Sequence, residues 1–162
     1  MNMLKTLFAV LALSFSLNSL AITDDEQVEF SDGLTEGKLK VVQKYVKADA
    51  NIVNEKFFGW APLQMASNAG QIEIVKYLLS KGADINYIHP VAHHTAFHLA
   101  VLNNHLELAK FLASKGADVN IKLKADVSLI RFFRDAERPD MVKMLTDLGV
   151  KDDGCVEGKC FE

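Results

Sequence analysis

All five histidines of the chain fall between His89 and His105. Imidazole is the commonest side-chain ligand for zinc and copper, and His94 and His98, four residues apart with His93 adjoining, can be drawn as one side of such a site. That drawing needs a helix already running at His94. Thr95, a residue whose hydroxyl suits an N-cap, stands between the two, so His94 falls outside the helix and the one-face spacing is lost. No metal is therefore expected, and His89, His93 and His94 remain to be explained. There is no Gly-x-Ser-x-Gly elbow, no His-Glu-x-x-His and no glycine-rich phosphate loop, so no catalytic residue and no cofactor are expected either.

The elements that carry these histidines repeat. Gly82-Ala83-Asp84-Ile85-Asn86 returns thirty-four residues later as Gly116-Ala117-Asp118-Val119-Asn120, and Ile74 to Leu79 returns as Leu108 to Ala113. Thirty-three residues before Gly70 stands Gly37 and thirty-three after Gly116 stands Gly149, each beside a degraded copy of the same apolar pattern. A period in this range marks stacked supersecondary units, none of which can bury its apolar face alone. Within one unit, Ile72, Val75, Leu78 and Leu79 fall at helical spacing, with Glu73, Lys76 and Lys81 outside the stripe, which predicts an amphipathic helix ending at Gly82. A shorter helix is predicted to open at Pro62 and, in the later units, behind Thr95 and Ser128, whose hydroxyls can cap; Ala61 cannot, so the second unit should start less firmly.

Ala61-Pro62-Leu63-Gln64-Met65-Ala66 and Thr95-Ala96-Phe97-His98-Leu99-Ala100 resemble the T-P-L-H-x-A signature of ankyrin repeats, and Gly-Ala-Asp-Ile/Val-Asn matches a second signature of that family. The resemblance runs from about Gln27 to Val150 and weakens at both ends, where Gly33 takes the alanine place and Ser128-Leu129-Ile130-Arg131-Phe132-Phe133 keeps only the hydroxyl and the apolar pattern. It implies an all-α solenoid of about four helix-turn-helix repeats with finger loops, at about 27–57, 58–91, 92–124 and 125–150 within a domain of 22–150. It also assigns His98 to hydrogen bonding with Thr95 and nearby backbone, His105 to the start of an outer helix, and Asp84 and Asp118 to turns. The charged outer repeats read as solvent-facing caps.

What the resemblance leaves unassigned lies in the fingers. The first, Asn54-Glu55-Lys56-Phe57-Phe58-Gly59-Trp60, carries three aromatics where polar tips are usual; the second, Tyr87-Ile88-His89-Pro90-Val91-Ala92-His93-His94, is one residue longer than its neighbours. Since the family binds through fingertips and inner helices, Phe57, Phe58, Trp60, Tyr87, Ile88, His89, His93 and His94 are the candidate partner-binding row, with Asn68, Leu102, Asn103, Arg131 and Arg134 extending it into the groove. Replacing Trp60 and Tyr87 by alanine should then leave stability nearly unchanged and weaken binding about tenfold or more.

Residues 1–21 combine Lys5, an apolar run from Leu7 to Leu17, and small residues at Ser19 and Ala21, the pattern of a secretory signal peptide. The remaining chain is mildly acidic, with scattered basic residues, which argues against a nucleic-acid partner. Both cysteines, Cys155 and Cys160, lie in the tail 151–162, bracketing Val-Glu-Gly-Lys. In an exported chain this predicts a disulfide folding the tail over the fourth repeat; a redox pair and half of a metal site are the alternatives. The expected function is a non-catalytic periplasmic adaptor or inhibitor, monomeric when free, that binds another protein. One concrete form is an immunity protein blocking a toxic effector. The alternatives are an accessory role in oxidative-stress defence, such as catalase support, and a metal or redox protein using His89–His94 or the cysteine pair.

Overall fold

The computed structural model describes residues 22–154. Eight α-helices occur among them: α1 Asp24–Thr35, α2 Leu39–Ala48, α3 Pro62–Asn68, α4 Ile72–Ser80, α5 Ala96–Leu102, α6 Leu106–Ser114, α7 Leu129–Asp135 and α8 Pro139–Asp147. They form four antiparallel pairs. The first helices α1, α3 and α5 pack in succession, and each pair also packs on itself. No helix among the described residues is long and apolar enough to cross a membrane.

Each pair is built from the features its sequence announces. Thr95 and Ser128 cap α5 and α7, their hydroxyls accepting from the His98 and Arg131 N–H groups. Ala61 offers no such oxygen, and α3 is held instead by the Gln64 side chain, whose Oε1 accepts from the Ala61 N–H at 3.2 Å. The second repeat thus starts firmly through the other half of a capping box. At the far end of α4, Gly82 takes φ 85°, and the Gly82 and Ala83 N–H groups close back on Leu79 and Leu78. A side chain would strain that left-handed backbone.

The apolar stripes meet in one continuous core running from Phe30 to Val150. On α4 the fully buried positions are Ile74, Val75 and Leu78, while Ile72 and Leu79, expected in the buried stripe, are only partly buried at its margins. The helix is therefore rotated slightly from the expected register, because it must fill the space against both α2 and α3. Gly33 on α1 has its own reason: a Cβ there would lie 3.0 Å from Val41 Cγ1, so the first pair closes tightly only with glycine.

Consecutive repeats are also tied by a row of asparagines. Asn54 bonds the Gly82 carbonyl and the Asp84 N–H, Asn86 accepts from the Asp118 N–H, and Asn120 accepts from the Lys151 N–H. Asp84 and Asp118 each accept from the N–H two residues on, as their turn assignment requires.

Candidate functional site

The first finger ends in a two-residue hairpin. Phe57 and Trp60 exchange both backbone hydrogen bonds, at 2.9 and 3.0 Å, and the central residues Phe58 and Gly59 have φ 52° and 84°. Turns with two positive φ values favour Asn-Gly or Gly-Gly. A bulky aromatic at the first position is an outlier, costing about 1 kcal/mol or more. Phe58 gains nothing locally for that cost, being 97% exposed.

Its neighbours are placed quite differently. Phe57 points into the core, 7% exposed, its ring centroid 5.7 Å from that of Phe30. The expectation of Phe57 as a surface anchor is corrected: the hairpin alternation sends 57 inward and leaves 58 outside. Trp60 is half-buried and lies on the His89 ring with centroids 4.0 Å apart. Tyr87 donates its hydroxyl to the Gly59 carbonyl at 2.8 Å, and the Lys56 ammonium sits 4.1 Å from the Tyr87 ring centroid. Trp60, Tyr87 and His89 are thus the material that joins fingers one and two, rather than a row of free tips.

The second finger is closed by its own histidine. The His89 Nδ1 accepts from the Val91 and Ala92 N–H groups at 3.2 and 3.0 Å, and the finger's base is pinned by the His89 N–H on the His94 carbonyl. Accepting at Nδ1 places the ring hydrogen on Nε2, which is buried without a hydrogen-bond partner among the described residues. That nitrogen faces Gly59, where a Cβ would come within 3.0 Å. Glycine at 59 is therefore required twice, by its φ and by the imidazole. The residues left outside are Ile88, Pro90, Val91 and His93, with Val91 69% exposed.

Two buried side chains at equivalent places support the fingers from below. His98 accepts from the Thr95 N–H through Nδ1 at 3.1 Å, and its Nε2 reaches the Ile121 carbonyl at 2.8 Å. Burial holds its pKa down at about 4, against a smaller upward pull from the Ile121 carbonyl. Gln64 repeats the arrangement one unit earlier, with Nε2 donating to the Tyr87 carbonyl at 3.1 Å. An amide has two such hydrogens where imidazole has one, and the second goes to the His94 carbonyl at 2.7 Å. The longer second finger is anchored at both ends by that extra donor. His94 itself is half-buried, and burial lowers its pKa, with His89 adding to the effect.

In the groove, Asn68 and Asn103 are exposed and joined to each other, Asn103 Nδ2 donating to Asn68 Oδ1 at 3.1 Å. Leu102 is half-buried against the core, which gives it the packing role its position did not announce. Arg131 pairs with Asp135 on its own helix, and Arg134 is held by Asp152 at 2.6 Å. The tail returns over the fourth repeat at Lys151 to Asp153, where the Asp153 carboxylate accepts from the Ser128 N–H. Cys155 and Cys160 lie outside the described residues, as do residues 1–21. No group of three or more His, Cys, Asp or Glu among the described residues is placed to hold a metal ion.

Four stacked helix pairs, the positive-φ glycine behind α4 and the buried Thr95–His98 pair define the repeating unit. The family described as "Ankyrin repeats (3 copies)" matches residues 33–122. The chain belongs to the ankyrin-repeat family. It is 28% identical over 74 residues to the ankyrin repeat, SAM and basic leucine zipper domain-containing protein 1 of Carollia perspicillata, covering 46% of this chain and 16% of that protein. The same protein of Notamacropus eugenii is 29% identical over 65 residues, covering 40% of this chain and 14% of the relative. The likeness is confined to a small fraction of these relatives' length.

Within the ankyrin array, the bridging asparagine of the first repeat escaped sequence reasoning. Ala48-Asp49-Ala50-Asn51 repeats the Ala-Asp-x-Asn pattern, yet the residue that reaches the next repeat is Asn54. A 3₁₀ helix, Ala50–Asn54, carries the chain three residues further before it crosses. The two aspartates of the tail were missed as well. Their only sequence signal is an acidic pair just past the last repeat, which many solvated tails share.

Proposed function

We propose that this chain is a non-catalytic protein-binding module, working after export to the periplasm as an adaptor or inhibitor of another protein. Ankyrin repeats generally mediate protein–protein interaction, and they are typically binding modules rather than enzymes. The observation that carries the reading here is Phe58: a 97% exposed aromatic in a left-handed turn, held out by two fingers tied to each other beneath it. Backbone strain retained at an exposed aromatic is a mark of a binding anchor, because aromatic side chains lose little entropy on burial in a partner. The ties between the two fingers lower the ordering cost of association.

Export rests on the signal-like residues 1–21 and on the cysteine pair of the tail. An immunity role, in which the array caps a toxic effector, is one form this function takes; support of an oxidative-stress enzyme is another. Both hang on the identity of the partner. Affinity capture from the native envelope fraction with the wild-type chain and with Phe58→Asp tests the reading. A protein retained by the wild type and lost from Phe58→Asp supports it, and its identity separates the two roles. A retained protein indifferent to Phe58 overturns the anchor. Amino-terminal sequencing that begins at Ile22, together with mass spectrometry showing Cys155 and Cys160 oxidised, tests export; an intact leader with two free thiols overturns it.

A further inference from the structure

Between α1 and the first finger lies a groove of about 530 Å³, room for one large side chain and its flanking backbone. Its floor is Val28, Phe57 and Met65, and Phe58 forms one wall. Val28 is itself 59% exposed and is the apolar residue α1 presents to this space, beside Gln27 and Ser31. Asp24 and Asp32 line the groove about one turn to either side of Val28. Residues four apart on a helix share a face, so Asp24, Val28 and Asp32 line up, with the acids about 12 Å apart along the axis.

The two carboxylates have no ion pair or hydrogen bond among the described residues, and the reason is visible around them. Lys38 is committed to Glu36 and Lys44 to Glu29. Glu26, the other acid of the first turn that reaches a partner, is committed to capping at Thr23. Asp24 and Asp32 are exposed at the edges of the apolar floor, with Lys38 reaching Asp32 only as a more distant charge. An acidic first turn already complements the helix dipole, so the unmatched demand of the groove is for cations at both ends and apolar surface between.

Resting on the protein-binding reading above, we propose that this groove seats an extended segment of the partner protein in which an apolar side chain is flanked, two residues away on each side, by lysine or arginine. The geometry selects that pattern. In an extended chain alternate side chains share a face and four residues span about 13 Å, so a basic-x-apolar-x-basic segment places its cations over Asp24 and Asp32 and its apolar side chain against Val28 and Phe58.

The test is a titration of the isotope-labelled full chain, followed by backbone amide shifts, with three capped peptides: Lys-Ser-Phe-Ser-Lys, Glu-Ser-Phe-Ser-Glu and Lys-Ser-Ser-Ser-Lys. The expected result is that only the first perturbs residues 24–32, 57–60 and 65 at low millimolar concentration, with affinity about tenfold lower for Asp24→Asn/Asp32→Asn and for Phe58→Asn. Equal binding of the acidic peptide, shifts outside the groove, or no shifts overturn the proposal. Retention of the captured partner on the wild type and its loss from Phe58→Asp, alongside failure of the peptide, would leave the protein-binding reading standing and remove only this assignment of its chemistry. Both variants change exposed side chains, and their unfolding midpoints check that the fold is kept.

Discussion

The Trp60 indole lies on the His89 imidazole, ring centroids 4.0 Å apart, and through this contact the first finger becomes part of the second. The Tyr87 hydroxyl on the Gly59 carbonyl makes a second tie between the same two loops. Removing Trp60 therefore disturbs the fold as well as any partner. Trp60→Ala is expected to cost roughly 1–2 kcal/mol, less than a fully buried tryptophan because the ring is half-exposed. Tyr87→Phe should cost about 1 kcal/mol for one hydrogen bond. Urea unfolding measures both; a loss under about 0.3 kcal/mol for Trp60→Ala would show that the stack contributes nothing.

Phe58 offers the opposite balance. Phe58→Asn places the favoured Asn-Gly pair in a two-residue hairpin and relieves the left-handed aromatic. Stability should rise by about 1 kcal/mol, while partner retention falls. Thermal unfolding together with the capture assay checks the pair of outcomes, and a destabilised Phe58→Asn would mean that the aromatic packs on something that holds the finger.

The buried imidazole makes stability depend on pH. The His98 pKa of about 4 in the folded chain lies below its ordinary 6.5, so the unfolded chain binds more protons and stability rises with pH through this window. The contribution is full above pH 6.5 and is lost as pH falls toward 4, by up to about 3 kcal/mol. His94, also lowered, adds in the same direction. His98→Gln copies the arrangement that Gln64 makes one repeat earlier, keeping an acceptor for the Thr95 N–H and a donor for Ile121. Denaturant curves between pH 4 and 7 should be markedly flatter in that variant; an unchanged slope would place the titration elsewhere.

The asparagine ties predict a contrast between two residues at matching sequence places. Asn86→Ala leaves the Asp118 N–H without its acceptor and should cost about 1–2 kcal/mol, with faster hydrogen exchange at Asp118. Asn51→Ala should stay within about 0.5 kcal/mol of the wild type, because the crossing bond of the first repeat belongs to Asn54. Equal losses at 51 and 86 would refute the displaced bridge.

Much of this was legible in the chain. The period of thirty-three to thirty-four residues, the capping hydroxyls at Thr95 and Ser128, and Gly82 behind a helix each act through local backbone geometry, so residue type alone announces them. The roles of Phe57 and Phe58 were not legible. They are adjacent and chemically identical, and only the hairpin's alternation decides which one meets Phe30 and which meets water. His89 was equally opaque, since the N–H groups it binds, at Val91 and Ala92, come within reach only when Pro90 to His93 turn back on it.

By itself, then, the sequence determined an all-α ankyrin array, where its helices begin and end, and that its unusual residues gather in the first two fingers. Those properties follow from spacing and propensity, which are local. Tertiary structure decided which finger residues hold the array together and which stand free of it. Burial and inter-loop hydrogen bonding depend on what the neighbouring repeat brings alongside, and so Trp60, Tyr87 and His89 became the joint while Phe58, with Val28 and two aspartates that have no ion pair among the described residues, became the surface.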